Sequence, residues 1–246
     1  MSVLGIDVGG SGIKGAPVDL AAGQLAAERH KLATPRPATP EAVAAAVVEL
    51  AGQFATPRRV GVVVPAVVKH GVAWTAANID PAWIGCDVGL LLHDALGCPV
   101  QVLNDADAAG LAEMRFGAGA GQRGTVVMLT LGTGIGSAVF SGGVLVPNTE
   151  FGHLDLRGKP AERRASALVR ETQELSWEKW AGRLTELLVA LEGLLWPDLF
   201  IIGGGVSSKH ARFLPLLRCR TPVVPATLGN DAGIVGAALA ADGMVP

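Results

Sequence analysis

Two carboxylates and two glycine-rich turns carry most of the chemistry that this sequence could perform. Asp7 closes the apolar run 3–8 and is followed by Gly9-Gly10-Ser11-Gly12, with Lys14 two residues on. A carboxylate beside a phosphate-binding turn can hold Mg²⁺, directly or through water, against phosphate oxygens. Asp105 follows the run 99–103 within Asn104-Asp105-Ala106-Asp107. The carboxyl ends of strands in α/β sheets are where ligands bind, and a carboxylate there can take the proton of an attacking hydroxyl. Each has a plainer role as well, turn capping for Asp7 and helix N-capping for Asp105.

The second turn, Gly132-Thr133-Gly134-Ile135-Gly136, separates the β-branched run 126–130 from the apolar return 137–140. Glycine takes left-handed backbone angles without a Cβ penalty, so a tight turn is expected at both clusters. Backbone N–H groups and the Thr130 and Thr133 hydroxyls then point into one concavity suited to phosphate. Two such units, half a chain apart, predict two phosphate clamps facing each other. Glu150-Phe151-Gly152-His153 comes after the second. A lone histidine is usually structural, but one paired with a glutamate near a phosphate turn can bind hydroxyl groups.

Alternating elements must position these residues. The pattern predicts strands at 3–8, 13–19 and 24–33, a helix at 40–54 with proline in its first turn, and a buried strand at 59–64. Residues 66–86 read as irregular, Asp87 as the N-cap of a helix at 88–96, and 99–103 as a strand before a helix that stops at Gly117. Glycine-rich 117–124 reads as a hinge, dividing a small lobe, 1–116, from a large one, 117–230, with a terminal helix, 231–243, packing back on the first. In the second half the charged segment 159–174 reads as one helix, and 176–195 as another. Trp177, Trp180, Ala181, Leu184, Leu187, Leu188, Leu191 and Leu194 fall at helical spacing there and read as core. A strand at 199–202, a short helix, a strand at 222–225 and the terminal helix finish an α/β chain that repeats β-β-β-α-β-α-β-α.

Bulk properties exclude several classes. The 246 residues are 50% hydrophobic with a net charge of −2, which suits a chain with a large core and not a basic nucleic-acid binder. No apolar stretch approaches the roughly 20 residues of a membrane span. Cys86, Cys98 and Cys219 form no pair that suggests a disulfide or zinc site. The expectation is a cytoplasmic protein. Gly10-Ser11-Gly12-Ile13-Lys14-Gly15 matches a dinucleotide fingerprint in letters, but Pro17 and the turn residues Val18-Asp19 predict a strand where that fingerprint needs a helix.

Taken together, the blocks Asp7-Val8-Gly9-Gly10-Ser11-Gly12-Ile13-Lys14, Leu103-Asn104-Asp105-Ala106-Asp107, Leu131-Gly132-Thr133-Gly134-Ile135-Gly136, Glu150-Phe151-Gly152-His153, Gly203-Gly204-Gly205-Val206 and Asn230-Asp231-Ala232-Gly233 resemble the ROK family of sugar kinases. The resemblance implies the two-lobed actin-like ATPase (ribonuclease H-like) fold. It implies Asp105 as the general base toward a sugar hydroxyl, with Asn78, Asn104, Glu150, His153 and Glu162 as sugar ligands. It also implies Asp7, Gly9, Gly10, Ser11, Gly12, Lys14, Thr130, Gly132, Thr133, Gly134, Gly203, Gly204 and Gly205 as phosphate and nucleotide ligands, with Mg²⁺ at Asp7. The family's cysteine-rich zinc motif is replaced by Leu154-Asp155-Leu156-Arg157-Gly158-Lys159-Pro160-Ala161, so no structural zinc is expected.

That replacement, together with Leu175-Ser176-Trp177-Glu178-Lys179-Trp180, resembles the branch of the family that phosphorylates glucose at its 6-hydroxyl from inorganic polyphosphate and ATP. Lys159, Arg163, Arg164, Arg170, Arg36, Lys209 and Arg212 are candidate cations for a long anion, Lys159 and Arg163 at i,i+4 on one helix face. A solvated helix face paired with Glu162, Glu171 and Glu174 is the better reading of them from the sequence, so polyphosphate use rests on the resemblance and not on these charges. The resemblance further implies a homodimer with no nucleic-acid or membrane partner. The alternatives are an ATP-only kinase of mannose, fructose or an N-acetylated hexose, and a non-catalytic sugar-binding module. A sugar-sensing repressor is disfavoured because the first strand begins at Val3, with no room for a DNA-binding domain before it.

Overall fold

The computed structural model describes residues 2–76 and 79–243. The chain forms two compact units, Met1–Ala112 with Asp231–Pro246, and Glu113–Asn230. The first holds β1 (Ser2–Val8), β2 (Ile13–Asp19), β3 (Gln24–Leu25), β4 (His30–Leu32), α1 (Pro40–Ala51), β5 (Val60–Val64), the hairpin of β6 (Val68–Lys69) and β7 (Val72–Ala73), α2 (Val88–Leu96), β8 (Val100–Asn104) and most of α3 (Asp105–Phe116). The second holds β9 (Thr125–Leu131), β10 (Ile135–Ser141), β11 (Val144–Val146), α4 (Glu162–Ala165), α5 (Ala167–Thr172), α6 (Trp177–Leu195), β12 (Leu199–Gly203) and β13 (Val223–Pro225). Helix α7 (Ala232–Ala241) belongs to the first unit.

The two sheets repeat one strand order, β3-β2-β1-β5-β8 and β11-β10-β9-β12-β13. In each, three antiparallel strands are followed by two parallel ones. The predicted duplication is therefore present. Where α2 connects the last two strands of the first sheet, two 3-10 helices, Gly205–Arg212 and Leu214–Leu216, connect those of the second.

Strand identity follows from burial on both faces. All five residues of β5 and all five of β12 are buried, as expected for parallel strands covered on each side. On one face of the first sheet Ile6, Val8, Val62 and Val64 pack with Val43, Val47 and Leu50 of α1. On the other, glycine lets α7 approach the strands backbone to backbone. A Cβ on Gly61 would stand 1.8 Å from the Ala237 carbonyl oxygen, and one on Gly5 2.0 Å from that of Ile234. In the second unit Leu129, Leu131, Phe200 and Ile202 pack on Trp180, Leu184, Leu187, Leu188 and Leu191 of α6. Leu194, expected in that stripe, is 63% exposed, while Trp177 is only half-buried.

Two predicted elements are broken. The third strand is two pieces, because Pro17 of β2 has no N–H to offer a ladder. The pairing register slips by two residues across it, from Val18↔Leu25 to Gly15↔His30. The charged helix is likewise two, α4 and α5, because Ser166 takes extended angles and its Oγ accepts the Val169 N–H as the N-cap of α5. Lys159 consequently precedes α4 and shares no helical face with Arg163. The segment 154–161 closes on itself, with the Gly158 N–H donating to Asp155 Oδ1 at 2.8 Å and Leu154 and Leu156 packed into the core.

The glycine-rich stretch after α3 is held by buried Glu113. Its Oε2 accepts the Ala118 N–H at 2.8 Å, and its Oε1 accepts the Thr227 and Leu228 N–H groups at 2.8 and 2.7 Å. That carboxylate ties the end of α3 to the segment that leads into α7.

Candidate active site

In the first unit the site begins where β1 and β2 pair. Asp7 lies opposite Lys14 in the antiparallel register, and its Oδ2 is 3.2 Å from Lys14 Nζ. The connecting turn closes with the Gly9 N–H donating to the Gly12 carbonyl at 3.0 Å, and Thr34 Oγ1 donates to the Gly9 carbonyl at 2.6 Å. Gly233, in the first turn of α7, packs its Cα toward the Asp7 carboxylate. Gly9 and Gly12 do not take left-handed angles. A Cβ on Gly12 would meet the flexible Lys31 side chain at 2.5 Å and the Leu32 carbonyl oxygen at 3.2 Å.

At the end of β8 the capping role falls to Asn104. Its Oδ1 accepts the Ala106 N–H at 2.8 Å, and its Nδ2 donates to the Ala66 carbonyl at 3.2 Å. One amide hydrogen is left for a ligand, because the side-chain oxygen is committed to the start of α3. Asp105 shares that role, since its Oδ1 also accepts the Ala106 N–H at 2.8 Å, which leaves its second carboxylate oxygen for a ligand. Its side chain reaches solvent at its tip, yet the protein mass around it and the nearby Asp7 charge push its pKa up to about 6. That carboxyl remains mostly ionised at neutral pH.

Asp7 and Asp105 are thus electrostatically coupled carboxylates beside a phosphate-type turn. Among the described residues no group of three or more His, Cys, Asp or Glu side chains forms a cage for a metal ion. Magnesium is commonly held by one or two carboxylates together with substrate phosphates, and Asp7, beside the β1–β2 turn, is a carboxylate of that kind.

In the second unit the turn between β9 and β10 closes with the Gly132 N–H donating to the Gly134 carbonyl at 3.1 Å. Here too the expected left-handed angles are absent at Gly132 and Gly134. Gly134 makes room for Glu162, whose Oε2 would lie 2.5 Å from a Cβ at that position. Gly204 does need left-handed freedom, with φ at +81°, and a Cβ there would stand 2.3 Å from the Leu131 carbonyl oxygen. Gly203 pairs with Thr130 across the parallel β12–β9 ladder, which brings the 203–205 loop to the same turn.

Glu150 and His153 are set by residues between and before them. Buried Ser137 of β10 accepts the Phe151 N–H at 2.9 Å and donates to the Thr149 carbonyl at 2.6 Å. Gly152 packs its Cα against the Ile135 carbonyl, where a Cβ would come within 2.1 Å. The 3-10 helix Phe151–His153 is therefore pinned to β10, and His153 stands between two carboxylates, Nδ1 3.9 Å from Glu150 Oε2 and Nε2 3.9 Å from Glu162 Oε1. Glu162 thus lies within ion-pair distance of His153. Sequence reasoning misses Ser137, whose only signal there is a single hydroxyl in an apolar run. Asn78 lies outside the described residues.

A cavity of about 250 Å³ adjoins the second turn. Helix α5 is brought to it by the Leu168 N–H, which donates to the Gly132 carbonyl at 3.1 Å. Arg170, Glu171, Trp177 and Lys209 line it beside Gly132 and Thr133. Helical spacing places Trp177 in the core and gives no sign of its position on this wall.

Similarity to known proteins extends along most of the chain. The sequence model of the ROK family matches residues 3–166. A polyphosphate glucokinase of Mycobacterium tuberculosis is 56% identical over 237 residues, covering 96% of this chain and 89% of that protein. The crystal structure of an inorganic polyphosphate/ATP-glucomannokinase from Arthrobacter sp. strain KM superposes with a TM-score of 0.94 at 50% identity, covering 99% of each chain. A ROK family glucokinase from Streptomyces griseus, in complex with glucose and AMPPNP, gives 0.85 at 26% identity, covering 99% of this chain and 100% of that one.

Proposed function

The chain belongs to the ROK family, with the actin-like ATPase fold of those kinases, and from that footing we propose that it phosphorylates glucose at the 6-hydroxyl from inorganic polyphosphate and from ATP. The observation that carries this reading is the 56% identity to a polyphosphate glucokinase across 96% of the chain. The geometry adds an ionisable aspartate at the carboxyl end of β8, electrostatically coupled to Asp7.

Asp105 accepts the proton of the 6-hydroxyl as its oxygen bonds to the terminal phosphorus. The bond from that phosphorus to the donor's bridging oxygen breaks, and the shortened donor leaves. Such transfer depends chiefly on positioning and on charge stabilisation. Asn78, Asn104, Glu150, His153 and Glu162 are assigned to the sugar hydroxyls. Asp7, Gly9, Gly10, Ser11, Gly12 and Lys14, with Thr130, Gly132, Thr133, Gly134 and Gly203 to Gly205, are assigned to the donor phosphates. Mg²⁺ held at Asp7 would neutralise phosphate charge.

The reading includes a cytoplasmic homodimer. Among the described residues no helix is long and apolar enough to cross a membrane. The name of the Arthrobacter relative, a glucomannokinase, favours mannose as a second acceptor.

A pH profile is set by the raised pKa of Asp105. The base works only when ionised, so kcat/KM should fall tenfold per pH unit below about 6. An unperturbed aspartate would place that limb near 4. Asp7→Asn removes one of the causes that raise the pKa and should move the limb toward acid.

The defining assay compares polyphosphate and ATP as donors to glucose and mannose with Mg²⁺ at several salt concentrations. Turnover with polyphosphate that weakens as salt rises supports the reading. Turnover with ATP alone would leave an ATP-only hexose kinase, and tight glucose binding without turnover would leave a binding module.

A further inference from the structure

The cavity beside Gly132 and Thr133 is lined in a way that a nucleoside pocket is not. Its aromatic wall is Trp177, but the Arg170 guanidinium lies 3.7 Å from the centre of that ring. At that distance the guanidinium is stacked on the indole face. A purine seeking the same face would have to displace it. The guanidinium of Arg212 lies 5.2 Å from the ring, and Phe213 runs nearly parallel to it at 6.0 Å.

The charge of the lining points the same way. Arg170 has no carboxylate within ion-pair distance among the described residues, and its Nε is buried without a hydrogen-bond partner. By contrast, Arg157 and Arg164 are both paired with Glu186. A stacked guanidinium keeps its in-plane N–H groups for an acceptor, and its fork matches phosphate oxygens. Lys209 adds a second cation, against the single carboxylate Glu171.

We infer that this cavity takes phosphate groups of inorganic polyphosphate distal to the one transferred, and that Arg170 sets the preference for polyphosphate over a nucleotide donor. The inference rests on the reading of the chain as a polyphosphate-using kinase. It extends that reading by placing the tail of the donor beside the glycine turn. It also selects Arg170 and Lys209 from the seven candidate cations, with the stacked Arg170 contributing the larger part.

The test uses Arg170→Ala and Arg170→Lys in the full chain, with two readouts. The first is binding of inorganic tripolyphosphate by calorimetry, and the second is KM for polyphosphate, ATP and glucose. Loss of a charge-assisted hydrogen bond is expected to weaken tripolyphosphate binding and raise the polyphosphate KM by about 10- to 100-fold. The ATP KM should change by much less than that, and the salt dependence of the polyphosphate KM should flatten. Arg170→Lys keeps the charge without the fork and should fall between the two. If Arg170→Ala does not fold, the polyphosphate-to-ATP KM ratio of Arg170→Lys carries the test, and an unchanged ratio overturns the inference.

Equal losses with both donors, or a polyphosphate KM within twofold of the parent, would also overturn it. Arg170-dependent tripolyphosphate binding without polyphosphate turnover would uphold the cavity assignment and defeat the donor reading. Normal polyphosphate turnover in Arg170→Ala would do the reverse.

Discussion

Asp105→Asn is expected to lower kcat with glucose by roughly 10²- to 10⁴-fold while the glucose KM changes little. The two side chains share a shape, so the substitution removes proton acceptance and little else. Helix α3 should start normally, because Asn104 Oδ1 accepts the Ala106 and Asp107 N–H groups and an asparagine at 105 keeps an oxygen for the Ala106 N–H that Asp105 also accepts. The fold should not suffer either. The protein mass around exposed Asp105 and the Asp7 charge both disfavour its ionised form, so a neutral amide relieves a repulsion. The expected result is a nearly inactive enzyme with an unchanged or higher melting temperature, read by steady-state kinetics beside thermal unfolding. A variant that kept most of its turnover would mean another group takes the proton. One that lost activity and stability together would mean Asp105 is structural.

Gly61→Ala should be among the most damaging of the small substitutions. The added methyl would stand 1.8 Å from the Ala237 carbonyl oxygen and 2.3 Å from its carbon. Both are backbone atoms of α7, so no side-chain rotamer relieves the clash. Either α7 lifts from β1 and β5 or the strand moves, and overpacking of this kind costs about 3 kcal/mol or more. With about 2–4 °C lost per kcal/mol for a chain of this size, the melting temperature should drop by at least about 6 °C. The same exchange at Gly182, on an open part of α6 where a Cβ meets nothing within 4 Å, should stabilise by up to about 1 kcal/mol. Opposite signs at the two sites are the expected outcome, measured by thermal or denaturant unfolding. If both variants unfolded alike, direct backbone packing of α7 on the sheet would be wrong.

The range of the forces involved decides which features are legible in the sequence. Strands buried on both faces announce themselves as β-branched runs, and Asp87 and Ser176 mark helix starts through local hydrogen bonds to Leu90 and Lys179. Ser166 makes the same kind of bond to Val169, but it sits inside a charged run whose periodicity argues for one continuous helix. Pro17 is legible as unsuited to a helix. Its effect on the neighbouring strand is not, because that effect concerns the pairing partner. The glycine turns stand where the sequence places them, but for a different reason. Gly134 lies against the Glu162 carboxylate and Gly12 against the Lys31 side chain, neighbours 28 and 19 positions away that no local rule contains.

The cavity is further out of reach. Its walls come from the turn after β9, from α5 and α6, and from the 3-10 helix Gly205–Arg212. Tertiary packing alone brings Arg170 and Trp177 to Gly132. In the sequence Arg170 is one charge among several, and Trp177 one apolar residue at helical spacing. Leu194 shows the opposite error, since it continues the period of α6 past the point where the core ends.

The most direct test of polyphosphate-driven glucose phosphorylation is phosphorus NMR of the purified chain with glucose, Mg²⁺ and inorganic polyphosphate in the complete absence of nucleotide. The expected result is a growing phosphate-ester signal of glucose 6-phosphate, matched one for one by loss of polyphosphate residues, and no such signal with Asp105→Asn. Release of inorganic phosphate without a sugar ester, or an ester that forms only when ATP is supplied, would contradict it.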